Sequence, residues 1–190
     1  GNPQLTSTNR VLGQAIPFVG EYGISKNPES FASYAYRVYF ADKNRGAILR
    51  LSRDGLTPIS DLGMKDFFKD TLPKSDLILG SYDDSKGLFN LTLDGQTVSF
   101  DEKVNGFPSF KSFIPEGALS LNNIYYSIKN GDLWSHTNEK RNRFYDTSAG
   151  QDDATKYYES SVNVLVNDEA DSIKGFKTVN YSGSRSRKYT

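Results

Sequence analysis

Apolar and polar residues alternate along much of the chain in short runs that break at clusters of Asp, Asn, Gly and Ser. That pattern predicts strands joined by tight turns. Tyr36 to Phe40 is β-branched and aromatic, Asp42 to Gly46 supplies turn residues, and Ala47 to Leu51 completes a β-hairpin. A further turn at 52–55 leads to Leu56 to Ile59, where Pro58 lacks an amide donor and so favours an edge strand or its end. The same order recurs as an apolar run at 77–82, an acidic turn from Asp83 to Gly87, a run at 88–93, Asp94-Gly95, and a run at 96–100. A weaker third copy joins Ile124 to Ile128 through Asn130-Gly131 to Asp132 to His136. The turn glycines Gly55, Gly95 and Gly131 stand 40 and 36 positions apart, near the ~40 to 50 residue period of propeller blades. Asp-Gly and Asn-Gly suit two-residue hairpin turns, whose central positions need positive φ. The alternative is three unrelated hairpins in an irregular all-β domain, since such dipeptides are common turn material.

One helix interrupts the strands. Residues 60–72 place Met64, Phe67, Phe68 and Leu72 on one helical face, with Ser60 or Asp61 as N-cap and Pro73 as the stop. The stripe reads as a packing face. Phe107, Phe110 and Phe113, separated by Pro and polar residues, fit a winding segment pinned to the core by its rings better than a long strand. A fourth hairpin is expected over 161–166 and 173–181.

The fold class expected is therefore mainly β, with repeated antiparallel β-meanders, propeller-like in part, and one short helix. The expected organisation is an extended leading segment over 1–35, three blade-like repeats over 36–136, a polar surface loop over 137–160, and a final hairpin with a polar tail over 161–190. Neither end has the look of a natural terminus, so the chain reads as a fragment of a longer protein.

Composition removes several chemistries. The 190 residues carry 23 Lys and Arg against 23 Asp and Glu, so no net charge draws the chain to nucleic acid or anionic membrane. No run approaches the ~18 to 20 apolar residues of a membrane helix, and no membrane contact is expected. With no Cys and a single His, His136, a thiol nucleophile, a Cys-based zinc site and a multi-His metal centre are excluded. No nucleophile elbow accompanies His136, which fits a hydrogen-bonding or surface role at a strand end. Asp42, Asn44 and Gly46 resemble the opening of a calcium loop, but the terminal Glu is absent and Lys43 and Arg45 lower the local charge. Paired carboxylates for glycoside hydrolysis are available from Asp83, Asp84, Asp101, Glu102 and Glu116, as in any protein with this many acids. Basic clusters stand at Arg45, Arg50 and Arg53, at Lys140, Arg141 and Arg143, and at Arg185, Arg187 and Lys188. They read as solvated surface, or as a lining for DNA in a channel if an assembly arranged many copies around it. No catalytic, cofactor-binding or metal residue is assigned, and no enzyme activity is expected.

Several strings together resemble virion structural proteins of tailed bacteriophages, especially phages of marine bacteria and cyanobacteria. They run from Arg37 to Ser60 with Gly63-Met64, Gly80 to Asp84, Gly106 to Pro115, Asn122 to Tyr126 with Gly131 to His136, Arg141 to Tyr145, and Lys174 to Ser184. Phe107 stands where that family carries Trp. The resemblance implies a structural component of the tail, of the baseplate, hub or nozzle kind, made in the host cytoplasm and acting by subunit assembly. Its partners would be other virion structural proteins and further copies of itself, and no cofactor is implied. Exposed loops over 83–87 and 137–155 are the expected contacts with neighbouring subunits. A glycan-binding or glycan-degrading module of a phage tail is the alternative, because aromatic β-surfaces stack on sugars.

Overall fold

Short apolar runs between turn residues fold into antiparallel meanders whose strands keep their chain order. The computed structural model describes residues 17, 19–137, 142–146, 158–163 and 171–175. The chain divides into two units, Gly1–Tyr158 and Glu159–Thr190. Among the described residues of the first unit, eleven strands form three antiparallel sheets. The first sheet runs β1 (Ala32–Tyr34), β2 (Arg37–Asp42), β3 (Ala47–Ser52) and β4 (Gly55–Pro58). The second runs β5 (Leu79–Asp83), β6 (Leu88–Thr92), β7 (Thr97–Asp101) and β8 (Gly106–Lys111). The third runs β9 (Gly117–Leu121), β10 (Ile124–Lys129) and β11 (Asp132–Ser135). This is the mainly β, meander-built fold expected from the sequence, with blade-like sheets and one short helix.

The first strand of each sheet packs beside its counterpart, β1 against β5 and β5 against β9. Gly80 on β5 lets the 3-10 turn Pro28–Ser30 come close, since a Cβ there would overlap the Ser30 carbonyl. Two of these three strands, β1 and β9, were not legible in the sequence.

The repeated acidic turns are the same device twice. Arg45 N–H donates to Asp42 Oδ1 at 3.1 Å, and Lys86 N–H donates to Asp83 Oδ1 at 3.2 Å. Gly46 and Gly87 close these turns at φ 63° and 68°. The first turn joins β2 to β3 and the second joins β5 to β6, so the sequence repeat runs one strand out of step with the sheets. Of the three expected dipeptides, only Asn130-Gly131 has both residues at positive φ, 55° and 80°. Asp94-Gly95 is not such a turn: neither residue has positive φ, and Asp94 instead accepts from the Asp76 and Leu77 amides at 3.0 and 2.6 Å. A left-handed pair that the sequence reading passed over, Asn122 and Asn123 at φ 50° and 61°, joins β9 to β10. Asn tolerates this region because its short amide bonds locally.

The helix is shorter than expected. The chain forms a 3-10 turn over Ile59–Asp61, passes Gly63 at φ 82°, and becomes α1 only at Lys65–Thr71. Met64 is the N-cap, and neither Ser60 nor Asp61 caps it. Pro73 lies within a closing 3-10 turn, Leu72–Lys74. The packing face is as expected: Phe68 and Leu72 are buried, with Met64 and Phe67 against the core.

The 106–111 segment is a strand, not a winding crossing. Pro108 is accommodated because β8 is the edge of its sheet, with an irregular register between Ser99 and Asp101. Phe113 is buried and Phe107 packs on the core, but Phe110 is half-exposed, edge-on to Phe67 at 5.5 Å. Of the expected fourth hairpin, residues 161–163 and 173–175 are described and belong to no strand, and the rest lies outside the described residues.

Candidate assembly surfaces

Alternation decides what each sheet presents to its neighbours. Directly opposed strand residues share a face, so Tyr39, Ala41 and Ile48 project together from the first sheet, and Tyr82, Phe89, Leu91, Val98 and Phe100 from the second. These two sets join α1 in one buried cluster. Rings stack through it, with Tyr34 on Tyr82 at 4.1 Å and Tyr39 on Phe89 at 4.8 Å. Burial alone gains roughly 1.5 to 3 kcal/mol for each large side chain.

The rim of this apolar seam is held by one carboxylate. Glu102, just beyond β7, accepts from the Tyr39 hydroxyl and from Arg50 Nη1, each at 2.7 Å, with Arg37 Nε at 3.7 Å. Burial first, and then the bond to Glu102, pushes the Tyr39 phenol far above its usual range. Tyr82 is pushed up to about 12, chiefly by burial.

The seam between the second and third sheets is built differently. The other face of the second sheet presents Ser81, Asn90, Thr92, Thr97, Ser99 and Lys111, with Leu79 and Leu88 towards its ends. Ser81 Oγ and the Tyr125 hydroxyl of β10 lie 2.7 Å apart. Asn90 Oδ1 accepts from Ser99 Oγ at 2.6 Å and from Lys111 Nζ at 3.1 Å. Thr97 donates to the Phe113 carbonyl at 2.6 Å. Burial pulls the Lys111 ammonium down to about 8, and nearby Lys86 lowers it further while Asp83 opposes.

His136 closes this seam at the end of β11. Its amide donates to the Tyr125 carbonyl at 2.8 Å, its Nε2 lies 2.7 Å from Ser127 Oγ, and its ring sits between Phe113 at 4.8 Å and Tyr125 at 4.9 Å. Burial lowers its pKa to about 4, with Lys86 adding to the effect. Ser127 is wholly buried and also 3.2 Å from the Tyr145 hydroxyl. The hydrogen-bonding role at a strand end is what the structure shows. The 142–146 segment adds Phe144 against Phe113 at 5.3 Å and Tyr145 against Trp134 at 5.5 Å.

The other singled-out residues are taken up by local contacts. Both Asp42 oxygens serve protein donors: the Gly23 amide, Ser25 Oγ, and the Arg45 amide and guanidinium. Burial works against this carboxylate, but those donors outweigh it and hold its pKa below the ordinary value. The first basic cluster is dispersed, because Arg45 pairs with Asp42, Arg50 with Glu102, and Arg53 lies over the Tyr36 ring at 4.6 Å. Arg143 pairs with Asp146 at 3.4 Å, while Lys140, Arg141, Arg185, Arg187 and Lys188 lie outside the described residues. In the 83–87 loop the Asp84 amide donates to Ser120 Oγ at 3.0 Å, tying the loop to β9. Glu102, Arg50 and Asn90 were not recognised as contact residues from sequence, where they carry no local signal.

Among the described residues, two surfaces are open. A cleft of about 320 Å³ lies where β1, β5 and β9 meet, lined by Phe31, Tyr34, Ser81, Tyr82, Asp84 and Leu119 among others. Asp84 is the one carboxylate in that lining, so it offers no acid pair for glycoside hydrolysis. The second is the face of the third sheet turned away from the second, where Leu119, Leu121, Ile124, Ile128 and Leu133 are 38 to 66% exposed. A soluble monomer rarely leaves so continuous an aliphatic patch uncovered, and such patches mark contact surfaces.

Residues 14–131 match the family described as Crassvirus muzzle protein. The chain belongs to this family. The match spans more than half of the 190 residues, from ahead of the first sheet to the turn before β11. Membership makes the chain a phage virion structural protein. The match carries the coarser part of the resemblance, a phage virion protein, and does not speak to marine or cyanobacterial hosts. No curated protein matches the chain.

Proposed function

We propose that the chain is a structural subunit of the tail, in the baseplate, hub or nozzle region, and that it acts by contact with other virion subunits and not by catalysis. The observation that carries this reading is the muzzle family match laid over stacked sheets that end in an uncovered aliphatic face. Its polar groups support the same reading, because among the described residues the Ser127 and His136 pair is taken up in the seam between sheets, with Ser127 wholly buried. No observation favours the glycan module. For DNA in a channel, the dispersal of Arg45, Arg50 and Arg53 leaves the 185–188 cluster as the place to look.

The test is location in the particle. Fab fragments raised against the chain are expected to decorate the tail of intact virions in electron micrographs. Decoration of the capsid, or absence of the chain from purified particles, would overturn the reading.

A further inference from the structure

Two unmet electrostatic demands meet on the polar face of the second sheet. Asn90 is wholly buried on β6, and its Nδ2 has no hydrogen-bond partner among the described residues, the nearby Tyr125 hydroxyl falling short of bonding geometry. A buried donor left unpaired is rare in folded proteins. Lys111, the last residue of β8, is the other. Its Nζ donates to Asn90 Oδ1 at 3.1 Å, while Asp83, a carboxylate on the same face, pairs with Lys86 at 3.9 Å. Burial holds the Lys111 pKa near 8, so part of the amine is neutral at ordinary pH.

The register explains why these two groups touch. Asn90 stands opposite Ser99 on β7, and Lys111 stands opposite Thr97, two residues from Ser99 on the same strand. The four side chains therefore share one face, and the lysine stem reaches diagonally across β7 to the amide on β6. Ser99 Oγ donates to the same Oδ1 at 2.6 Å. A hydroxyl donating to a carbonyl oxygen makes its carbon more electrophilic and stabilises the negative charge that develops on the oxygen under attack. A neutral Nζ held this near needs only rotation about the terminal lysine bonds to face Cγ, the condition for nucleophilic attack.

We propose that Lys111 and Asn90 join in an intramolecular isopeptide bond. The Nζ–Cγ bond forms through a tetrahedral adduct whose oxygen is held by Ser99, the Cγ–Nδ2 bond breaks, one proton passes from Nζ to Nδ2, and ammonia leaves. No oxidant, metal or further reactant is consumed. The product removes both demands at once, since the unpaired Nδ2 departs and the desolvated amine becomes a neutral amide. It also staples β8, the edge strand that carries Pro108, to β6 across β7. Among the described residues a hydroxyl, and not a carboxylic acid, touches the Asn90 amide oxygen beside Lys111, so the reaction is a slow maturation of the folded chain. It does not depend on where in the virion the chain sits.

Intact mass and peptide mapping of the 190-residue chain test this. Freshly purified chain is expected to carry its full sequence mass. After prolonged incubation at about pH 9, above the Lys111 pKa of about 8, a growing fraction is expected to be lighter by one ammonia. In that fraction trypsin should no longer cut after Lys111, and peptide 87–103 should be found joined to 104–129. Lys111→Arg, which keeps the charge, is expected to abolish the joined peptide, and Ser99→Ala to slow its appearance by about tenfold or more. Full mass throughout would overturn the proposal. So would an ammonia loss that persists in Lys111→Arg, or one that maps to Asn105-Gly106 or Asn130-Gly131, where an asparagine followed by glycine cyclises onto its own backbone. The joined peptide is read directly from the wild-type chain, so the proposal stays testable if either variant fails to fold. Its absence would leave the tail assignment standing, and Fab labelling away from the tail would leave the bond standing.

Discussion

Arg50 and Glu102, 52 positions apart in the sequence, meet at 2.7 Å across the seam between the first two sheets. Each side chain is 20% exposed, so the pair is partly shielded from water and Glu102 also holds the Tyr39 hydroxyl. Replacing the carboxylate by an amide removes its charge and leaves one acceptor oxygen for the two donors. Glu102→Gln is expected to lower unfolding free energy by about 1 to 3 kcal/mol, as for other shielded charge-assisted bonds. The exposed pair Lys65 and Asp61, at 3.7 Å, supplies the comparison: Lys65→Ala should change stability by less than about 0.5 kcal/mol. Urea denaturation of the three proteins checks both, and equal losses would show that the Glu102 clamp is no stronger than a surface pair.

The polar seam gives a pH signature. His136 has a folded pKa of about 4 against an ordinary 6.5, so between these values the unfolded chain binds the extra proton. Its contribution is fully present above pH 6.5 and is lost as pH falls towards 4, with a slope of at most about 1.4 kcal/mol per pH unit. Lys111, depressed to about 8 from 10.5, follows the same sign at higher pH, and its own contribution should climb above pH 8 until the raised Tyr39 and Tyr82 phenols oppose it near pH 10. Melting temperature against pH for wild type, His136→Gln and Lys111→Met checks this. The acid slope should flatten only in the first variant and the alkaline rise only in the second.

Two glycines are expected to behave in opposite ways. A Cβ on Gly80 would overlap the Ser30 carbonyl, whereas one on Gly95 meets nothing within 4 Å, and Gly95 has ordinary backbone geometry. Gly80→Ala should cost about 2 kcal/mol or more, while Gly95→Ala should be neutral or gain up to about 1 kcal/mol by restricting the unfolded chain. Thermal melts distinguish the two. A tolerant Gly80 would mean that β5 and the 28–30 turn do not approach as closely as described.

That contrast shows where the sequence was readable. Strands with several aliphatic or aromatic residues between strong turns, such as β2, β3, β6 and β7, announce themselves. β1 is only three residues long, β9 reads Gly-Ala-Leu-Ser-Leu with small residues of low strand preference, and β8 carries Pro108. Each fails a local criterion and is formed by its neighbours. The period in turn glycines did not mark equivalent turns, because Gly55 stands at the turn from β3 to β4 of the first sheet while Gly95 lies between β6 and β7, the second and third strands of theirs, and only Asn130-Gly131 has both residues at positive φ. Contacts such as Tyr39 with Glu102 or Ser81 with Tyr125 join residues 63 and 44 positions apart, and no window along the chain contains both partners. The coarser reading, a phage virion structural protein, was accessible from sequence because it rests on many weakly informative positions together.

The prolines of the sheets carry a last consequence. Pro58 ends β4 and Pro108 interrupts β8, the outward edges of the first and second sheets, and the outward edge of the third, β11, is only four residues long. The inward edges β1, β5 and β9 shelter one another. An unpaired strand edge is a template on which foreign strands add and polymerise, and here each such template is missing an amide, curtailed or enclosed. Fibre-like growth through the backbone is thereby disfavoured, and contact with other virion proteins is left to side chains.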